Sequence, residues 1–128
     1  MSIRVVLAFS NMLFSKGMEK LLEEADGVEV VRTMRPQWAT DFKEDGPDII
    51  LTDLISLYNY VDDVRLEPRC RLILFDTECG KGNIASAIAN KKVRAVLPQH
   101  ATPEDLVSAI KTVAGGGTLN LDPPFTKL

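Results

Sequence analysis

Apolar runs of strand length alternate along this chain with segments of helical period. Ile3 to Phe9 is one apolar run, broken only by Arg4, and reads as a buried strand. Residues 11 to 24 follow, with Met12, Leu13, Met18, Leu21 and Leu22 near helical spacing and Asn11 as N-cap. Asp26-Gly27 ends that helix, and Val28 to Met34 is a second strand. Pro36 opens a short helix with Trp38, Ala39 and Phe42 as its apolar face, closed by Asp45-Gly46-Pro47. Residues 48–52 form the third strand, and 55–66 a short, irregular third helix. Leu72 to Phe75 is the fourth strand, 81–91 the fourth helix, and Ala95 to Pro98 the fifth strand.

Thr102-Pro103-Glu104-Asp105 is a strong helix start, with a Thr N-cap, Pro at the first helical position and an acid that completes a capping box. The helix runs to Ala114, where Gly115-Gly116-Gly117 stops it. Short apolar strands separated by helices predict an α/β fold, a parallel sheet covered on both faces with right-handed crossovers. Residues 1–117 are expected to form the domain, and 118–128, with Pro123-Pro124, a linker outside the core.

The totals narrow the function. The 128 residues suit one domain, with 45% hydrophobic and 26% charged residues. Net charge is −3, from 15 basic and 18 acidic residues. The chain has no basic run and is not expected to bind nucleic acid by itself. Cys70 and Cys79 form no metal or redox motif, so a cytoplasmic, reduced protein is expected. No apolar run is long enough to span a membrane.

Candidate chemistry centres on Asp53, the carboxylate that ends the apolar strand Asp48-Ile49-Ile50-Leu51-Thr52. In open α/β sheets function gathers at the carboxyl ends of strands. The simplest role for Asp53 is a relic or a helix-capping acid, and a second is a carboxylate sharing a proton with Asp76. His100 has no second His or nearby Cys to build a metal site. Cys79-Gly80-Lys81-Gly82-Asn83 is a Gly-rich turn but not a phosphate-cradling Walker loop.

In three places the residues resemble a response-regulator receiver domain of the NarL/FixJ (LuxR-type) group. Ile3-Arg4-Val5-Val6-Leu7-Ala8, with Leu13-Phe14 and Gly17-Met18, resembles its opening strand and helix. Pro47 to Leu54 resembles its phosphoacceptor strand. Ala101 to Val107, Ala109-Ile110 and Gly116-Gly117-Thr118 resemble its last helix and exit. The resemblance implies a CheY-like, flavodoxin-like (βα)5 fold, doubly wound, with strand order 2-1-3-4-5.

It also implies that Asp53 occupies the phosphoacceptor position. Phosphoryl transfer to such an acid needs Mg²⁺ and a cation. Phe9 and Ser10 stand where the family has two metal-binding acids, and Gln99 where it has a lysine. Asp76, with Thr77 beside it, takes the place of the switch hydroxyl, Val96 that of the switch aromatic, and Leu57 that of a proline. Asp76 would repel a phosphoryl dianion by about 4 kcal/mol per charge pair at ~4 Å and an effective dielectric of ~20. Phe9 is expected to fill the space of the metal site.

These departures point to a pseudo-receiver: a signalling module, not an enzyme, without the usual Mg²⁺-dependent phosphorylation and without a cofactor. Its expected partner is a protein or a second copy, on the face of the fourth helix, fifth strand and last helix, which carries Lys91, Lys92 and Arg94. A histidine kinase would be the partner if Asp53 were an ordinary phosphoacceptor. DNA would be reached only through a C-terminal helix-turn-helix domain. A stand-alone adaptor and a flavodoxin-like small-ligand binder are the alternatives, though Ser10-Asn11-Met12 lacks the run of Ser, Thr and Gly that cradles a flavin phosphate.

Overall fold

A computed structural model describes residues 2–33, 46–57, 70–76, 93–98 and 100–119. Five strands are in place: β1 (Ile3–Ala8), β2 (Val28–Thr33), β3 (Ile49–Thr52), β4 (Arg71–Phe75) and β5 (Val93–Leu97). They form one sheet in the order β2-β1-β3-β4-β5, and every pair is parallel. The described helices are α1 (Met12–Glu23), a single turn α2 (Leu54–Ser56) and α3 (Pro103–Ala114). The predicted helices at 36–44 and 81–91, and most of the one at 55–66, lie outside the described residues.

Strand alternation sorts the core into two layers. Val5, Leu7, Phe9, Ile49, Leu51, Ile73 and Phe75 point to the side that α1 and α3 cover. Val6, Ala8, Ile50, Leu72, Leu74 and Val96 point to the other side, where Leu57 packs. Both layers are buried, as the unbroken apolar strands require. Asp48 ties the entry edge together. It accepts a bond from the Arg4 backbone N–H at 2.9 Å and gives its own N–H to the Arg4 carbonyl at 2.8 Å.

Both predicted N-caps form. Asn11 accepts a bond from the Phe14 N–H at 3.1 Å. Thr102 accepts from the Asp105 N–H at 3.1 Å, while Asp105 accepts from the Thr102 N–H at 3.0 Å, which closes the capping box. At the far end of α3, Gly116 adopts φ 95°, a conformation L side chains rarely take. A Cβ on Gly117 would lie 2.9 Å from the Thr112 methyl.

Two expectations need correction. Leu13, placed among the helix's apolar positions, is 85% exposed. Five residues separate it from Met18, which turns it about 140° around the helix from that buried side chain. The expected linker also does not begin cleanly at residue 118. Leu119 makes a parallel bridge to Ala95. Its N–H donates to the Arg94 carbonyl at 3.0 Å, and its carbonyl accepts from the Val96 N–H at 3.1 Å. Leu119 also packs against the α1–α3 core layer. An isolated Leu after three glycines carries no periodic signal, so its return to the sheet is not legible in sequence.

Candidate functional site

The parallel register brings the ends of β1, β3 and β4 side by side, with Ala8 opposite Thr52 and Thr52 opposite Leu74. Ser10 and Asp53 therefore emerge next to each other, one from each central strand. Thr52 seals the seam below them, its hydroxyl donating to the Ala8 carbonyl at 2.9 Å.

Asp53 is 4% exposed. Burying a carboxylate is costly unless its oxygens find donors. Oδ2 accepts from the Ser10 N–H at 2.9 Å and from the Ser10 hydroxyl at 2.7 Å. Oδ1 accepts from the Ser56 N–H at 2.8 Å, which makes Asp53 the N-cap of α2. The Asp53 carbonyl accepts from the Leu57 N–H at 2.9 Å. Among the described residues, the three donors to the carboxylate come from Ser10 and Ser56.

Phe9 lies in the core with no exposed surface. Its ring meets Phe14 edge-on at 4.9 Å and Phe75 at 5.8 Å, while Phe14 and Phe75 lie 5.7 Å apart. The three rings form one cluster beneath the strand ends. Such edge-to-face pairs add about 0.5–1.5 kcal/mol each beyond area burial.

Asp76 is also buried, at 8% exposed, and its N–H continues the β4–β5 ladder to the Leu97 carbonyl at 2.8 Å. Val96, at the switch-aromatic position, is fully buried on the layer away from α1. Thr77 and Gln99 lie outside the described residues, as do the Cys79–Asn83 turn, Lys91 and Lys92. His100 is exposed in the turn before α3. Among the described residues, no cluster of three or more His, Cys, Asp or Glu side chains could hold a metal ion, and no helix is long and apolar enough to cross a membrane.

In the sequence Ser10 stands at the position of a missing acid; in the fold it is the chief hydrogen-bond donor to Asp53. Its adjacency to a residue 43 positions away follows only from the β1–β3 register.

The fold is that of a response-regulator receiver domain. The isolated receiver domain of RcsB from Salmonella enterica serovar Typhimurium, in the presence of the phosphomimetic BeF3⁻, superposes with a TM-score of 0.71 at 19% identity, over 98% of this chain and 96% of that one. A LuxR-family two-component response regulator from Aurantimonas sp. SI85-9A1 gives a TM-score of 0.72 at 19% identity, over 99% of this chain and 94% of that one. In sequence, the chain is 30% identical over 123 residues to the transcriptional regulatory protein MctR of Rhizobium johnstonii, covering 91% of this chain. The chain spans 57% of that relative's length. No protein-family model matches the chain.

Proposed function

We propose that this chain is the receiver module of a transcriptional response regulator and that it signals through protein contacts, without Mg²⁺-dependent phosphorylation of Asp53. The observation that carries this reading is the engagement of both Asp53 oxygens by Ser10 and Ser56. Oδ2 already accepts two bonds and Oδ1 one, which leaves a single acceptor direction, on Oδ1, for an incoming phosphoryl group.

The described residues at the first strand's end do not fit Mg²⁺. That ion demands oxygen ligands in near-octahedral array. Phe9 offers none and is packed among rings. The Ser10 hydroxyl is neutral and already spent on Asp53. Catalysis of phosphoryl transfer is almost entirely positioning and charge stabilisation. With Phe9, Ser10 and Gln99 at those positions, the chain supplies neither the acidic pair nor the cation.

A regulatory role in transcription is supported by the MctR relative, which is named a transcriptional regulatory protein and extends well beyond the matched region. On this reading DNA contact belongs to another part of the protein, in keeping with the net charge of −3 here.

The test is incubation with acetyl phosphate, and separately with beryllofluoride, in the presence of Mg²⁺. Intact mass reads any phosphoryl adduct, and amide shifts of Ser10, Asp53 and Ser56 read binding. The expected result is no adduct and no shift. A Mg²⁺-dependent adduct on Asp53 would return the domain to the phosphorelay class.

A further inference from the structure

Beside the end of β5 lies a cleft of about 250 Å³, lined by Leu97, Pro98, Asp105, Ser108 and Leu119. Buried Leu97 is its floor and half-buried Leu119 one wall. Asp105 and Ser108, both exposed and one turn apart on α3, form the rim. The Asp105 carboxylate is spent on the Thr102 N–H in the capping box. What remains is mostly apolar, and the small Ser108 leaves room between helix and strand for a side chain.

The bridge at Leu119 points an occupant towards this cleft. Leu119 lies opposite Ala95, with its N–H on the Arg94 carbonyl and its carbonyl on the Val96 N–H. Continued by register, Asn120 falls opposite Val96 and Leu121 opposite Leu97. Alternate residues of a strand share a face. Leu119 packs on the α1–α3 layer, and so does Leu97. Leu121, two residues after Leu119, has the same parity and falls at the cleft.

Both strands close the ladder at the same step. After a bond from the residue 121 N–H to the Val96 carbonyl, the next two bonds would need N–H groups at positions 98 and 123. Both positions are proline, which has none. Leu119-Asn120-Leu121 is thus matched to a strand of three residues, apolar on the core side and polar between.

We infer that this cleft is the seat of Leu121, so that the segment after α3 leaves the domain as a short sixth strand beside β5. The occupant is the chain itself because Leu121 is tethered two residues from a wall of the cleft, which gives it a high effective concentration over any second molecule. The seat adjoins the strand ends, since the Leu97 carbonyl accepts from the Asp76 N–H at 2.8 Å. A displacement of β5 at the candidate site would therefore move the point from which the chain departs. The inference holds whether or not Asp53 takes a phosphoryl group.

The experiment is amide hydrogen exchange by NMR on the 128-residue chain, with circular dichroism confirming that each variant is folded. Leu119 and Leu121 are expected to exchange about tenfold or more slower than an unstructured chain, and Asn120 between them close to the unstructured rate. Ser108→Phe fills the cleft from the helix side and is expected to bring residue 121 to within about twofold of the unstructured rate, while Leu119 stays protected. Leu121→Ser removes the apolar side chain and is expected to do the same at residue 121. A Leu121 amide that exchanges freely in the wild type would overturn the inference, as would equal protection at all three residues. Protection at residue 121 that survives both variants would show that the side chain is not in the cleft. Protection that appears only as protein concentration rises would assign the cleft to a second copy and overturn it equally.

Discussion

Ser10 gives both its backbone N–H and its hydroxyl to a single oxygen of Asp53, at 2.9 and 2.7 Å. The two residues belong to adjacent parallel strands and meet just past the last paired residues, Ala8 and Thr52. A strand end that would otherwise present a bare carboxylate is thereby closed by its neighbour.

This relationship gives the sign of the first prediction. Asp53→Ala removes the acceptor of three bonds and the cap of α2, and should destabilise the domain by about 2–4 kcal/mol. An acid crowded by like charges would gain stability from the same change. Ser10→Ala keeps the N–H and loses only the hydroxyl, and should cost about 1–2 kcal/mol. Urea denaturation of the two single variants and the double variant reads the coupling directly. Additive effects would show that the pair is not energetically linked.

Restoring an acid at Phe9 should not restore a metal site. Phe9→Asp places an unpaired charge inside the Phe9–Phe14–Phe75 cluster. It should cost more than about 4 kcal/mol, enough to unfold much of the population. Phe9→Ala leaves a cavity and should cost about 3–5 kcal/mol. Thermal melts with and without Mg²⁺ check this. A Phe9→Asp variant that is folded and stabilised by Mg²⁺ would contradict it.

Gly17→Ala should raise the stability of the monomer by up to about 1 kcal/mol, since the new methyl group meets nothing within 4 Å. The readout is the midpoint of urea denaturation. A loss of stability would mean that an internal packing constraint holds that position.

Leu119→Pro removes the N–H that donates to the Arg94 carbonyl. Amide exchange should accelerate at Val96, whose N–H is held by the Leu119 carbonyl, and the global stability should fall by about 1 kcal/mol. Hydrogen exchange followed by NMR resolves the two effects. Unchanged protection at Val96 would show that the bridge is not a stable part of the fold.

The sheet is largely legible in the sequence, because buried parallel strands write themselves as unbroken apolar runs such as Val5–Phe9 and Ile49–Leu51. The caps at Asn11 and Thr102 were legible too, since capping is decided within a few residues. The site was legible only in part. Asp53 could be placed at a strand end and read as a capping acid, but its bond to Ser10 is a contact between distant segments that only register creates. The direction of Phe9 follows from counting parity from Val5 and Leu7, yet its two ring partners come from α1 and β4. Leu13 misled because an apolar residue one step off the stripe looks the same in sequence as one on it.

The Leu119 bridge has a consequence at the scale of many molecules. β5 is the last strand of the sheet, and a last strand offers unpaired peptide groups to any passing strand. Leu119 occupies those groups around Ala95. An intruding strand must first strip away two hydrogen bonds and a leucine anchored in the core. Stacking of sheets edge to edge, the first step towards insoluble polymer, is blocked there by one residue that follows the last helix.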